Sequence, residues 1–177
     1  MGRDKAGLRL DTKTMLGQIR AEARKLGLPV RTIRRDLGPR CGPLGGVYTA
    51  LKTSHAKAEH FLACDMPFVS AALLEILLQF WRRERRAVFV KPKSKAGRSK
   101  SRLARAGVGF PFLVPVGAVA VVERQISRGQ FALQKLARVL KAGVLPLAPD
   151  AALQLLNVNT PADWKMARQK WRASQPI

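Results

Sequence analysis

Residues 60 to 81 read HFLACDMPFVSAALLEILLQFW, and this stretch decides the fold. His60 to Cys64 is a short, mostly apolar run of the length of a buried strand. Asp65-Met66-Pro67 interrupts it, and from Ser70 onward Leu73, Leu77, Phe80 and Trp81 recur at three- and four-residue intervals and form one face of a helix. That helix is predicted to run from Ser70 to Arg86, with its arginines gathered at the C-terminal end, where the helix dipole favours cations. A strand that passes through a short connection into a helix is the repeating unit of an α/β sheet. Here the connection begins with a carboxylate at the strand's C-terminal end.

The same alternation extends in both directions. Helical periodicity predicts further helices over Lys13 to Leu26, Leu44 to Thr53, Ala118 to Arg128, Phe131 to Lys141 and Pro161 to Ser174. Apolar runs predict strands over Val30 to Arg34, Ala87 to Val90, Phe110 to Val116 and Leu153 to Val158. Gly143 to Pro146 reads as a helix exit. The last helix has a specified start, with Thr160 as N-cap, Pro161 in the first helical position and Asp163 as the acid of a capping box. The expected architecture is a three-layer, Rossmann-like α/β sandwich with a mostly parallel sheet, and residues 1–177 are expected to form a single domain without repeats or linkers.

Composition bounds the function. Of 177 residues, 47% are hydrophobic, enough for one sizeable core and inconsistent with wholesale disorder. The longest apolar stretch, Phe110 to Val122, falls short of the roughly 20 residues of a membrane-spanning helix, and no signal peptide opens the chain; the expected setting is the cytoplasm. Cys41 and Cys64 are too few for a disulfide scaffold and have no zinc-ligand spacing with His55 and His60. Thirty-three Lys plus Arg against 11 Asp plus Glu leave a formal charge of +22, which attracts polyanions without choosing among them. Much of the excess lies between Arg82 and Arg105, where Glu84 is the lone acid, and KPKSKAGRSKSR, residues 91–102, reads as a solvated loop rather than an RNA-binding module. No aromatic residues are read as interleaved with those charges for base stacking.

Several short segments carry chemistry. Ligands of open α/β sheets bind at the C-terminal ends of strands, and Asp65 there is a hard-oxygen ligand suited to Mg²⁺. The competing role, a cap on the helix that follows, is disfavoured by its distance from Ser70. Arg40-Cys41-Gly42-Pro43-Leu44-Gly45-Gly46 precedes a helix whose free N–H groups can meet an anion or a base edge, although many Gly-Pro segments are simple turns. Asp36, upstream, is in isolation an ordinary surface carboxylate. Asn157 and Asn159 share one side of an extended segment with Val158 on the other; their amides suit a pterin, sugar or phosphate, or the closing of the turn into the last helix. Met1 to Lys5 is, alone, only a charged terminus.

In this order, MGRDKAGL, RDLGPRCGPLGG, FLACDMPF and LLNVNTPADW resemble the molybdenum cofactor guanylyltransferases, within the MobA-like nucleotidyltransferases. The resemblance spans nearly the whole chain, and CDMP and NVNTP are its specific elements. It implies Mg²⁺-dependent transfer of GMP from GTP to the terminal phosphate of molybdopterin or Mo-molybdopterin, with release of pyrophosphate. By resemblance Lys5 contacts the GTP phosphates, Asp36 helps hold the nucleotide, and Asp65 binds Mg²⁺. Gly42, Pro43, Leu44 and Gly46 match the loop beside the nucleotide, and Asn157 and Asn159 the amides near the metal and the pterin acceptor. Lys5 and Asp65 are the implied catalytic pair, and molybdoenzyme maturation proteins the implied transient partners.

The chain also departs from the family pattern. That pattern opens with a strand and a loop of the type LAGGxSxRMGxDK, whereas this chain begins at the Met of that motif, so the functional protein is expected to extend upstream of Met1. Between Lys13 and Val30 there is no room for an extra family strand, and Phe110-Pro111 stands where the family often has His-Pro. Two alternatives follow: a related transferase using CTP or another acceptor, and a basic nucleotide- or RNA-binding paralogue that has lost catalysis.

Overall fold

The computed structural model describes residues 7–38, 41–93 and 107–174. A small antiparallel hairpin, β1 (Arg9–Leu10) with β2 (Lys13–Thr14), comes first. Helix α1 (Met15–Arg24) starts two residues later than periodicity suggests, because the Thr14 hydroxyl accepts the Gly17 N–H at 3.0 Å and so makes Thr14 the N-cap. There follow α2 (Pro43–Lys52), β3 (Ala58–Phe61), α3 (Ala71–Glu84), β4 (Val88–Pro92), β5 (Gly109–Pro115), α4 (Val119–Ser127), α5 (Leu133–Val139), β6 (Gly143–Leu147) and α6 (Pro161–Ala173).

The main sheet has the order β3-β5-β4-β6. β5 is antiparallel to both of its neighbours, and β4 is parallel to β6, so β3, β4 and β6 run one way and β5 alone runs back. The sheet is thus mixed, with three of its four strands codirectional. Alternate residues go to opposite faces. Phe61, Phe89, Phe112 and Val114 pack under Leu44, Val47 and Leu51 of α2, Val122 of α4 and Leu136 of α5. Val88, Val90, Leu113 and Leu147 pack against Leu73, Leu74, Leu77 and Leu78 of α3. Helices cover both faces, which is why these strands read as continuous apolar runs. A third cluster, Leu10, Met15, Leu156, Val158 and Ala167, ties the hairpin and α6 to the C-terminal segment.

Three strand expectations and one helix exit change. Val30 to Arg34 forms no strand: among the described residues no neighbouring strand takes up its backbone, and the segment is held by side chains. Arg31 donates to the Ala50 carbonyl and to Thr53 Oγ1 at 2.7 Å, and pairs with Glu59 at 3.1 Å. The strand expected over His60 to Cys64 is β3, which starts earlier and stops at Phe61; the next partner in register is Pro111, where β5 also leaves regular pairing with β4, whose register shifts past Phe89. Leu153 to Val158 is not a strand either, since residues Pro149–Leu155 form a 3-10 helix opened by Pro149 before the chain becomes extended. Finally, Gly143 to Pro146 is no helix exit but most of β6, an edge strand, where a residue like Pro146 is readily tolerated. β4 takes in Lys91 and Pro92, and the rest of the basic segment, from residue 94, lies outside the described residues.

The capping box is formed: Asp163 N–H donates to Thr160 Oγ1 at 3.1 Å, and Asp163 Oδ2 accepts from Thr160 N–H at 2.8 Å. At the C-terminal ends of α3 and α5 the chain turns through the left-handed region at Arg85 (φ 56°) and Lys141 (φ 46°), positions usually given to glycine.

Candidate functional site

α2 runs opposite to β3 and is joined to it by a five-residue turn, so the N-terminus of α2 and the C-terminal end of β3 lie at the same end of the sheet. The sequence-predicted residues gather here in two groups.

The first is built on Asp65. After β3 the chain leaves the ladder, and the Asp65 carbonyl accepts the Val158 N–H at 2.8 Å. One backbone hydrogen bond thereby joins CDMP to NVNTP, 93 residues apart. The C-terminal segment alternates as expected, with Leu156 and Val158 buried in the third cluster and Asn157 and Asn159 exposed on either side of the bonded residue. Asp65 itself is partly exposed. The N-terminus of α3 is served by other groups. Ser70 Oγ accepts from Leu73 N–H at 3.3 Å, Glu22 Oε2 accepts from Ala71 N–H at 3.0 Å, and Gln154 Oε1 accepts from Ser70 N–H at 3.1 Å. Burial raises the Glu22 pKa, but hydrogen bonds from Lys25 and Ala71 outweigh it and hold the carboxyl below its usual value.

The second group is built on α2. Gly42, at φ 57° and ψ −141°, takes a backbone shape that side-chain-bearing residues rarely adopt, and it caps the helix with no side chain of its own. Pro43 follows in the first turn. Leu44 is fully buried in the core, backbone included, so it anchors the turn and offers a ligand no exposed surface, contrary to the contact expected of it. Asp36 comes back over this turn: a Cβ placed on Gly45 would meet the Asp36 carboxylate, with Cγ at 2.7 Å, whereas one on Gly46 would lie 3.9 Å from Asp36 Oδ1. Gly45, not singled out from sequence, is therefore the glycine that admits the carboxylate; the repeated glycines of GPLGG were the available signal. Leu37 N–H donates to Thr49 Oγ1 at 2.9 Å and fixes the Asp36 loop on α2. Beside it, a cleft of about 260 Å³ is lined by Leu37, Gly38, Cys41, Gly45, Tyr48 and Glu123 among others, with the Tyr48 hydroxyl donating to Glu123 at 3.0 Å.

Lys5 lies outside the described residues. His60 is a structural residue: burial lowers its pKa, and its Nε2 lies 3.1 Å from the Leu74 carbonyl, which the neutral ring can satisfy as donor. Among the described residues no three His, Cys, Asp or Glu side chains gather into a metal cage. A partly exposed carboxylate whose backbone is bonded to a segment carrying two exposed amides offers oxygens of the kind taken by a hard cation that keeps several waters and completes its shell with substrate phosphates. The residues present fit Mg²⁺. No helix among the described residues is long and apolar enough to cross a membrane.

The family model described as MobA-like NTP transferase domain matches residues 1–145. A relative from Opitutus terrae, named as a probable molybdenum cofactor guanylyltransferase, is 31% identical over 96% of this chain and 89% of its own length. Among solved structures, the molybdopterin-guanine dinucleotide biosynthesis protein A of Archaeoglobus fulgidus superposes with a TM-score of 0.61 at 20% identity, over 97% of this chain and 92% of that one. The 2-C-methyl-D-erythritol 4-phosphate cytidylyltransferase of Thermus thermophilus gives 0.68 at 16% identity, over 95% and 93%. At these identities the two structures speak for the Rossmann-like nucleotidyltransferase fold alone.

Proposed function

The chain belongs to the MobA-like NTP transferase family and is a nucleotidyltransferase, and we propose that it transfers GMP from GTP to molybdopterin or Mo-molybdopterin in the cytoplasm, releasing pyrophosphate. The observation that carries this reading is the 31% identity to a probable molybdenum cofactor guanylyltransferase along nearly the whole of both chains. The meeting of Asp65 with the Asn157–Asn159 segment supports it.

In this reading a terminal phosphate oxygen of the acceptor attacks the α-phosphorus of GTP. The new P–O bond forms as the α–β phosphoanhydride breaks, and pyrophosphate leaves. The attacking oxygen is already anionic at neutral pH, so the step needs positioning and charge neutralisation more than a general base. Asp65 would hold Mg²⁺, which when bound would supply charge neutralisation for the phosphates. Lys5 adds positive charge at the phosphates. The backbone of Gly42, Pro43 and Gly46, with Asp36, holds the nucleotide over the buried Leu44; Asn157 and Asn159 orient the acceptor. Handover of the product to molybdoenzyme maturation proteins completes the proposal.

The test is incorporation of label from α-labelled GTP or CTP into molybdopterin with Mg²⁺. A guanine dinucleotide formed at least about tenfold faster than the cytosine one is expected; equal rates overturn the base assignment, and pyrophosphate release with no dinucleotide overturns the acceptor.

The Asp36 contact gives a second expected result. Gly45→Ala should push the carboxylate off the α2 turn and weaken GTP binding about five- to tenfold, while Gly46→Ala, with room for a methyl, leaves it nearly unchanged. Calorimetric titration checks this. Because the displaced group is the end of a mobile side chain, folding stability should move by about 1 kcal/mol or less in both variants.

A further inference from the structure

At the opposite end of the sheet, where β4 and β6 begin, α3 and α5 deliver a cluster of cations. Val88 pairs with Gly143, so Arg86 and Lys141 stand level just before the ladder, and Arg86 donates to the Lys141 carbonyl at 3.4 Å. Three guanidinium groups are held over aromatic rings: Arg85 over Trp81 at 5.0 Å, and Arg83 and Arg86 over Phe80 at 5.8 and 5.7 Å. The Phe80 ring is itself seated on Gly143, where a Cβ would meet ring carbon Cε1 at 2.6 Å. Glu84 pairs with Arg83 and Arg86, and Glu75 with Arg82. Arg82, Arg83, Arg85, Arg86, Arg138 and Lys141 still outnumber these two acids. Two of the six, Arg85 and Lys141, occupy left-handed helix ends that glycine would take without a Cβ penalty.

We propose that this face is a docking surface for single-stranded nucleic acid, used independently of the nucleotide site. Exposed arginines are ordinarily mobile, and these are pre-positioned by stacking, which lowers the ordering cost of binding phosphates. The partly exposed edges of Trp81 and Phe80 add apolar surface against which nucleotides can pack. A lipid surface fits less well, because the apolar face of α3, Leu73, Leu74, Leu77 and Leu78, is spent in the core and leaves Ile76 as that helix's one exposed large aliphatic side chain. A charge of +22 distributed along the chain suits a long polyanion better than one acidic protein patch.

The test uses the full chain and its Arg85→Gly/Lys141→Gly variant. Because glycine suits both left-handed positions, the variant should fold with an unchanged or raised Tm. Binding of a fluorescent 20-nucleotide RNA, followed by anisotropy across a salt series, should weaken about tenfold at 100 mM salt. The slope of log K against log salt should become shallower by about 1.4, the value for two lost phosphate contacts on a single strand. Lys165→Ala/Lys170→Ala, which removes equal charge from α6, should change binding less than twofold, and Mg²⁺-GTP should not displace the RNA. Equal losses in both double variants, displacement by GTP, or tighter binding to phosphatidylserine vesicles or polyglutamate than to RNA would overturn the proposal.

Discussion

Phe112→Ala is expected to destabilise the fold by about 3–5 kcal/mol. Phe112 is fully buried on β5, the reversed strand at the centre of the sheet, opposite Phe61 of β3 and Phe89 of β4. Its ring centroid lies 5.0 Å from that of Phe61, 4.6 Å from that of Phe89 and 4.9 Å from that of Phe110, so truncation removes the shared partner of three rings as well as its own buried area. Set against a total stability of about 5–15 kcal/mol, such a loss brings the protein close to unfolding at room temperature. Urea denaturation checks it, read as a fall in midpoint at constant slope. Phe131→Ala, at a ring 39% exposed, should change stability by no more than about 0.5 kcal/mol. If Phe112→Ala proves as mild, the stacked core is wrong.

The helices and the rank order of the motifs were legible in the sequence for a physical reason: α3 repeats Leu73, Leu74, Leu77 and Leu78 on one face, and the Thr160 box carries its own stop and start chemistry. Strand ends were less legible, because they depend on partners distant in sequence. β3 stops where its register meets Pro111, and β6 is a strand only because β4 lies beside it; neither condition is local. The hairpin β1–β2 was missed for the same reason, since two-residue strands carry no period. At the candidate site, the alternation of Leu156, Asn157, Val158 and Asn159 was readable from the sequence, but the hydrogen bond that carries Val158 to Asp65 was not. Nor was the fit of Asp36 onto Gly45, which depends on two loops meeting. The aromatic rings under the arginines were also overlooked: Arg83 lies over Phe80 by ordinary helical spacing, whereas Arg86 reaches the same ring from beyond the left-handed turn at Arg85.

Asp65→Asn is expected to lower the rate of nucleotidyl transfer by about 10²- to 10³-fold, some 2.7–4 kcal/mol of transition-state stabilisation. The substitution keeps the shape and one oxygen of the side chain but removes the negative charge that a hard divalent cation requires. The link between the two motifs should survive, because Val158 bonds to the backbone carbonyl of residue 65 and not to its side chain. Two readouts therefore separate chemistry from folding. Turnover should fall while GTP binding measured without Mg²⁺ stays within about twofold of the parent, and the Mg²⁺ concentration needed for half-maximal activity should rise. Asp163→Asn supplies the contrast: its carboxylate accepts the N–H groups of Asn159 and Thr160, so its loss should cost about 1 kcal/mol of stability and leave the Mg²⁺ requirement unchanged. Were Asp65→Asn to retain turnover within about tenfold at unchanged Mg²⁺, the cation would have to be held by other groups, and the meeting of CDMP with NVNTP would be an architectural joint rather than the reacting centre.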